Sequence, residues 1–231
     1  MTDQTTGQTP DLTWRDTALG RVPVSTRFDD PYYSLDNGLS ETQHVFLGGN
    51  DLPARFRDGF HIAELGFGTG LNFLTTLAAS GNRAGHLHFT SFEAYPITAS
   101  EAAASLSAFP SLDAQPLINH WDAIFTGPTQ ITPQVTLHVM TGDARKTVPQ
   151  WNGQADAWFL DGFSPAKNPE LWEPSLIKSV GKHTAPDGTA ATYSAAGHVR
   201  ASLTAAGFTV TRQPGFGRKR HMTTAVMTHA E

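Results

Sequence analysis

Glu64-Leu65-Gly66-Phe67-Gly68-Thr69-Gly70 decides how this chain is read. It closes a short apolar run, His61-Ile62-Ala63-Glu64-Leu65, and opens a segment where Leu71, Leu74, Leu77 and Ala78 recur at helical spacing as far as Ser80-Gly81-Asn82. Strand, glycine turn and helix in that order are half of a βαβ unit, the building block of parallel sheets. Glycines at 66, 68 and 70 permit a tight turn and a close approach to the backbone, and the first N–H groups of the helix then face whatever is bound there. Taken alone, the run also fits a strand-to-helix turn that binds nothing.

The alternation continues on both sides. Residues 41–52 read as a helix stopped at Pro53. Downstream, 87–93 and 135–140 alternate as strands, 98–108 reads as a helix, and 109–132, broken by Pro and Gly, reads as an irregular insertion or lid. A strand at 155–160, a helix within 169–181, a strand at 188–193 and a helix at 197–206 follow. Strands at 208–211 and 223–227 are joined by the basic loop 215–220. The pattern predicts an α/β fold: a doubly wound, Rossmann-like sheet, mostly parallel, with one antiparallel edge strand from the terminal pair. A chain of 231 residues holds one such domain, expected over 13–231 after a flexible tail at 1–12.

Composition narrows the class. No cysteine is present, which excludes disulfides and thiolate metal sites. His86 and His88 share a strand face without partners at ligand spacing, so no metal is expected. The polar first residues lack a basic n-region and an apolar h-region, and no run approaches the roughly 18 apolar residues of a membrane span, so a cytoplasmic, soluble protein is expected. A net charge of -5 means that any nucleic-acid partner must be gripped by a local basic patch.

In an open α/β sheet the ligand crevice lies beyond the carboxyl ends of the strands, where Glu64, Glu93, Asp143 and Asp161 fall. A carboxylate at Glu93 suits two ribose hydroxyls. Enzymes that bind NAD place an acid in the same way, but their G-x-G-x-x-G spacing differs from Gly66-Phe67-Gly68-Thr69-Gly70. Glu64 suits a ligand amine, and Asp143, beside Ala144, suits the exocyclic amine of an adenine. An amine, two hydroxyls, an adenine and a sulfonium together describe S-adenosylmethionine, with Asn72 completing the expected cofactor site. Asp161, directly after the 155–160 strand, is the candidate catalytic residue: an acceptor that holds an amine N–H so that the nitrogen lone pair faces the methyl group. Phe163 and Trp172 are candidates to stack on a base, and Lys167 and Asn168 to meet phosphate or sugar. Arg218, Lys219 and Arg220 form the dense basic cluster expected to contact nucleic acid.

The chain resembles the methyltransferase half of the bifunctional tRNA-modification enzymes of the MnmC family. The resemblance is carried by Pro31-Tyr32-Tyr33-Ser34, Asn37-Gly38-Leu39-Ser40-Glu41, Val45-Phe46-Leu47, Asn50-Asp51-Leu52 and the glycine loop through Leu74. It continues through Phe92-Glu93, Gly142-Asp143-Ala144, the long stretch from Phe159 to Pro169 with Trp172, and Gly215-Phe216-Gly217-Arg218-Lys219-Arg220. With these motifs Tyr32, Ser164 and Pro165 join the substrate-binding candidates. The resemblance implies N-methylation of 5-aminomethyl-2-thiouridine at the tRNA wobble position, with Asp161 nearest the transferred methyl. The family's FAD-dependent oxidase is absent from this chain, so a stand-alone methyltransferase is expected. A small-molecule amine methyl- or aminopropyltransferase, and a non-catalytic cofactor-binding subunit, are the competing readings. The basic loop and the Asp161 to Pro169 stretch speak against the first, and the presence of Asp161 against the second.

Overall fold

The computed structural model describes residues 12–17, 20–34, 37–81 and 85–228. The expected tail at 1–12 lies outside the described residues except for Leu12. The described chain begins with an antiparallel meander that the sequence reading lacked, β1 (Leu12–Thr17), β2 (Gly20–Ser25) and β3 (Asp30–Pro31). Helix α1 (Gly38–Thr42) is capped by the Asn37 side chain, which accepts from the Ser40 N–H, and runs on through a wide turn at Gln43–Leu47 and a tight one at Gly48–Asn50. This is the helix expected at 41–52, begun earlier because the Asn37 carboxamide satisfies its first free N–H.

Then come β4 (Phe60–Leu65), α2 (Leu71–Ser80), β5 (Leu87–Glu93) and α3 (Ala99–Leu106). The region read as an irregular insertion is corrected to ordered structure: α4 (Gln115–Ile118), a helical turn at Ala123–Phe125 and β6 (Thr129–Thr132). Leu117, Trp121, Ile124 and Ile131 bury into the core there, and the Trp121 indole N–H donates to the Ile97 carbonyl at 3.0 Å. The chain continues through β7 (Val135–Thr141), α5 (Ala144–Gln150), β8 (Ala155–Leu160), α6 (Pro174–Lys182), β9 (Thr184–Thr192), α7 (Gly197–Ala205), β10 (Phe208–Pro214) and β11 (His221–Met227).

The main sheet has the order β10-β11-β9-β8-β4-β5-β7-β6. Strands β7, β5, β4, β8 and β9 are parallel, as expected. Strand β11 lies antiparallel between β10 and β9, because a hairpin without a crossover helix can only return antiparallel. The single antiparallel strand expected is joined by a second, β6, at the opposite edge.

Strand residues alternate between two apolar layers. Phe60, Ile62, Phe89, Leu137 and Phe159 face α2, α3 and the α1 helix, while Ala63, Leu65, Phe92, Trp158 and Leu160 face α5, α6 and α7. Burying each Phe contributes roughly 1.5–3 kcal/mol. Chain order runs outward from β4 to β5 to β7 and restarts at β8 on the other side of β4, so the switch point lies between Gly66 and Asp161. Among the described residues no helix is long and apolar enough to cross a membrane, and no three His, Asp or Glu side chains are grouped to hold a metal.

Candidate active site

At the switch point the ends of β4, β5 and β8 open into a cavity of about 890 Å³, roofed by the β2–β3 turn, the start of α1 and the β10–β11 loop. The glycine turn is clamped between strand ends. The Gly66 N–H donates to the Phe92 carbonyl at 2.9 Å, and the Asp161 N–H donates to the Leu65 carbonyl at 3.1 Å. Gly66 has φ +87°, and a Cβ there would collide with the Asp161 carbonyl oxygen. Gly68 (φ +53°) turns its N–H onto Glu93 Oε2 at 3.0 Å, and the Tyr95 N–H donates to Glu93 Oε1 at 2.8 Å. Two backbone donors therefore hold the Glu93 carboxylate at the cavity wall with lone pairs to spare.

Asp161 sits in a network that begins on α2. Asn72 Nδ2 donates to Asp161 Oδ2 at 2.6 Å and to Glu64 Oε1 at 2.8 Å, and Asn72 Oδ1 accepts from Thr42 Oγ1 at 2.8 Å. Both amide hydrogens and one oxygen lone pair are used, so its orientation is fixed. Burial pushes the Asp161 carboxyl up to about 7; the Asn72 hydrogen bond and the Lys219 charge oppose that rise, and the Glu41 charge adds to it.

Glu64 is not where the sequence reading put it. It follows Phe60 and Ile62 onto the α2 side of β4, is fully buried, and is held by Asn72 and by the Ser91 hydroxyl at 2.7 Å. Burial drives its carboxyl well above the usual range. The assignment to a ligand amine is therefore corrected: Glu64 braces Asn72 from below, and Asn72 reaches the cavity. Asp143 does border the cavity, but it caps α5, and both of its oxygens accept from the Arg145 guanidinium at 2.7–3.1 Å. Those hydrogen bonds hold its carboxyl below the usual range, so Asp143 serves as a helix cap at the same place where it borders the cavity.

The loop after Asp161 is tied to the meander. The Ser164 N–H donates to Asp30 Oδ2 at 2.8 Å, and the Lys167 ammonium pairs with Asp29 at 3.0 Å, so Lys167 is engaged within the protein. Phe163 stacks on Phe28 with centroids 4.9 Å apart and meets the Tyr32 edge at 5.2 Å, forming an aromatic wall of the cavity. Trp172 is buried at 2% exposure and props that wall by donating its indole N–H to the Phe163 carbonyl at 2.8 Å, which corrects its assignment as a stacking residue. The basic cluster divides. Arg218 and Lys219 border the cavity and Arg220 does not.

Of the other expected residues, Tyr32, Phe67, Thr69, Asn72, Ala144 and Asn168 line the cavity, while Gly70 and Pro165 do not. Gly70 is instead the left-handed residue that starts α2, packed under Leu117 and Phe67. The sequence reading missed Glu41, Thr42 and Tyr193 as site residues. The Tyr193 hydroxyl donates to the Gly162 carbonyl at 2.6 Å, and Lys219 Nζ lies 4.0 Å above the Tyr193 ring and 2.7 Å from Glu41 Oε1. Nothing local marks that contact, because Glu41 and Lys219 are 178 residues apart.

The model of a family described as S-adenosyl-L-methionine-dependent methyltransferase matches residues 112–228. The tRNA 5-methylaminomethyl-2-thiouridine biosynthesis bifunctional protein MnmC of Aeromonas hydrophila is 46% identical over 87% of this chain, and its counterpart in Caulobacter sp. (strain K31) is 44% identical over 93%. The chain spans 33% and 38% of their lengths, about a third of each. The crystal structure of MNMC2 from Aquifex aeolicus superposes with a TM-score of 0.74 at 27% identity, over 94% of this chain and 71% of that one. The parallel sheet with its switch-point cavity, the Glu93 carboxylate held at the glycine turn and these matches agree: the chain belongs to the S-adenosyl-L-methionine-dependent methyltransferases, and S-adenosylmethionine is its cofactor.

Proposed function

We propose that this domain methylates the primary amine of 5-aminomethyl-2-thiouridine at the wobble position of tRNA, giving the 5-methylaminomethyl product. One observation carries the reading: a carboxyl held at about 7, oriented by the Asn72 amide, opens into a cavity walled by Phe28, Phe163 and Tyr32. An amine acceptor needs such a carboxylate, and a flat base needs such a wall. The substrate names borne by the curated relatives favour the same chemistry.

The residues present fit the cofactor. Gly66, Gly68 and Thr69 would hold it along the turn, Glu93 would accept from ribose hydroxyls, and Asn72 would meet its polar end. When bound, the cofactor supplies a methyl group activated on a sulfonium. Asp161 takes an N–H proton or fixes the neutral amine with its lone pair toward that methyl, and the aromatic wall excludes water. The test is mass analysis of wobble nucleosides from aminomethyl-containing tRNA incubated with the protein and S-adenosylmethionine. The methylaminomethyl nucleoside is expected, and its absence overturns the substrate assignment.

Arg218 and Arg220 are exposed on the β10–β11 loop at the rim of the site. In this reading they contact the tRNA backbone. Replacing both by Ala is expected to weaken tRNA binding about tenfold and to flatten the salt dependence by about two phosphate contacts, with cofactor affinity preserved. An unchanged salt slope in a filter-binding series would remove the loop from the tRNA surface.

A further inference from the structure

We propose that Glu41 and the ring of Tyr193 form an ammonium-binding subsite for the acceptor amine, and that the ammonium of Lys219 fills it until the substrate arrives. The inference rests on the reading of the acceptor as an alkylamine.

The two anchors are built in. The Glu41 side chain is 11% exposed on the first turn of α1, and the Tyr193 hydroxyl is fixed by the Gly162 carbonyl at 2.6 Å, one residue after Asp161. Between them sits a cation, Lys219 Nζ, 2.7 Å from Glu41 Oε1 and 4.0 Å from the ring centroid. A carboxylate and an aromatic face around one ammonium is the arrangement proteins use to recognise alkylammonium ligands. The cation is the loosely held part. The Lys219 side chain is 44% exposed and rides on the loop that opens with Gly215 and Gly217, and a partly exposed ion pair of this kind is weak. All of these groups line the cavity that Asp161 lines.

An aminomethyl group reaches the protein mostly as an ammonium. Seated on Glu41 and Tyr193, it displaces Lys219 and passes one N–H proton to the Asp161 carboxylate. The freed nitrogen lone pair then forms the N–C bond to the methyl group as the C–S bond of the cofactor breaks and its electron pair returns to sulfur. Lys219, swung outward, adds a positive charge to the loop that already carries Arg218 and Arg220, so recognition of the amine and grip on a phosphate backbone reinforce each other.

The test uses methylammonium chloride as the probe, titrated by calorimetry into the protein saturated with S-adenosylhomocysteine, with no tRNA and no turnover. Lys219→Met, which keeps the length of the side chain and removes its charge, is expected to bind the probe at least tenfold more tightly than the unaltered protein. Adding Glu41→Gln to Lys219→Met is expected to abolish that gain. S-adenosylhomocysteine affinity measured in parallel verifies that each variant is folded; Lys219→Gln replaces Lys219→Met if it is not. Equal probe affinity in the Lys219 variant and the unaltered protein, or a gain that survives the Glu41 substitution, overturns the subsite. Failure of the wobble-nucleoside assay alongside a positive titration instead overturns the assigned acceptor and leaves the subsite standing.

Discussion

Asp161→Asn is expected to slow methyl transfer by about 10²–10⁴-fold, the usual contribution of a positioned proton acceptor. The substitution is nearly isosteric, so the cavity keeps its shape and S-adenosylmethionine affinity is expected to stay within a small factor. Burial holds the Asp161 carboxyl at about 7, so single-turnover rates in the unaltered protein should climb as pH rises through 7 and level off above it. The Asn variant should lack that limb. The same shift makes a stability prediction. The folded-state value, about 7, stands above the ordinary 3.8, so the folded protein holds an extra proton between those values. Stability from this group is complete below the ordinary value and is lost as pH rises through 7. Asp161→Asn, which is never charged, is therefore expected to melt higher than the unaltered protein at pH 8 and to match it near pH 4. The full shift caps the gain at about 4 kcal/mol. A variant that turns over normally would contradict the role, and one that melts lower at pH 8 would contradict burial as the cause of the shift.

Gly66→Ala is the second large effect, and it acts through the backbone. A left-handed φ of +87° already disfavours any residue with a Cβ, and here that atom would drive into the Asp161 carbonyl at the end of β8. Neither side yields easily, since Gly66 and Asp161 are each hydrogen-bonded into neighbouring strand ends. Strain of about 1–3 kcal/mol and overpacking of about 1–3 kcal/mol combine to a loss of about 2–6 kcal/mol. Cofactor affinity should collapse with it, because the turn and Asp161 move together. Gly59 supplies the comparison: its φ is +72° and nothing lies within 4 Å of an added Cβ, so Gly59→Ala carries the strain alone. Similar denaturation midpoints for the two variants would show that the clamp at Gly66 is slack.

The sequence made the inner half of this architecture legible. The β4 run, the glycine turn and α2 depend on neighbours within a few residues, Glu93 was recognisable as a strand end from the alternation before it, and Asp161 from the apolar run that ends at Leu160. Glu64 shows where reasoning by position along a strand misleads. Its place at the strand mouth suggested a ligand contact, yet the period of two that puts Phe60 and Ile62 under α2 puts Glu64 there as well. For Asp143 the place on the cavity wall was legible but not the second role, since its carboxylate also holds the N–H and guanidinium of Arg145 two residues on. The meander β1–β3 and strand β6 were missed although each pairs with a strand next to it in the chain, because their segments are short and carry few apolar residues in alternation, with Pro23 inside β2. The Glu41–Lys219 contact is the long-range case: both residues were quoted in the motifs, and only the folded sheet brings them together.

Strand β11 pairs with β9 through Thr223 to Val226 and with β10 along its whole length, and the loop at its head carries Lys219. The end of β10, where that loop begins, is moored on the wide turn after α1 through His44, whose ring nitrogen meets the Pro214 carbonyl at 3.0 Å. Transient opening of this one hairpin thus unseats the cation from Glu41 and Tyr193 and removes part of the cavity roof in a single event. Hydrogen exchange at the β11 amides becomes a reporter of the site: their protection tracks how often the enzyme stands open, without any substrate being turned over.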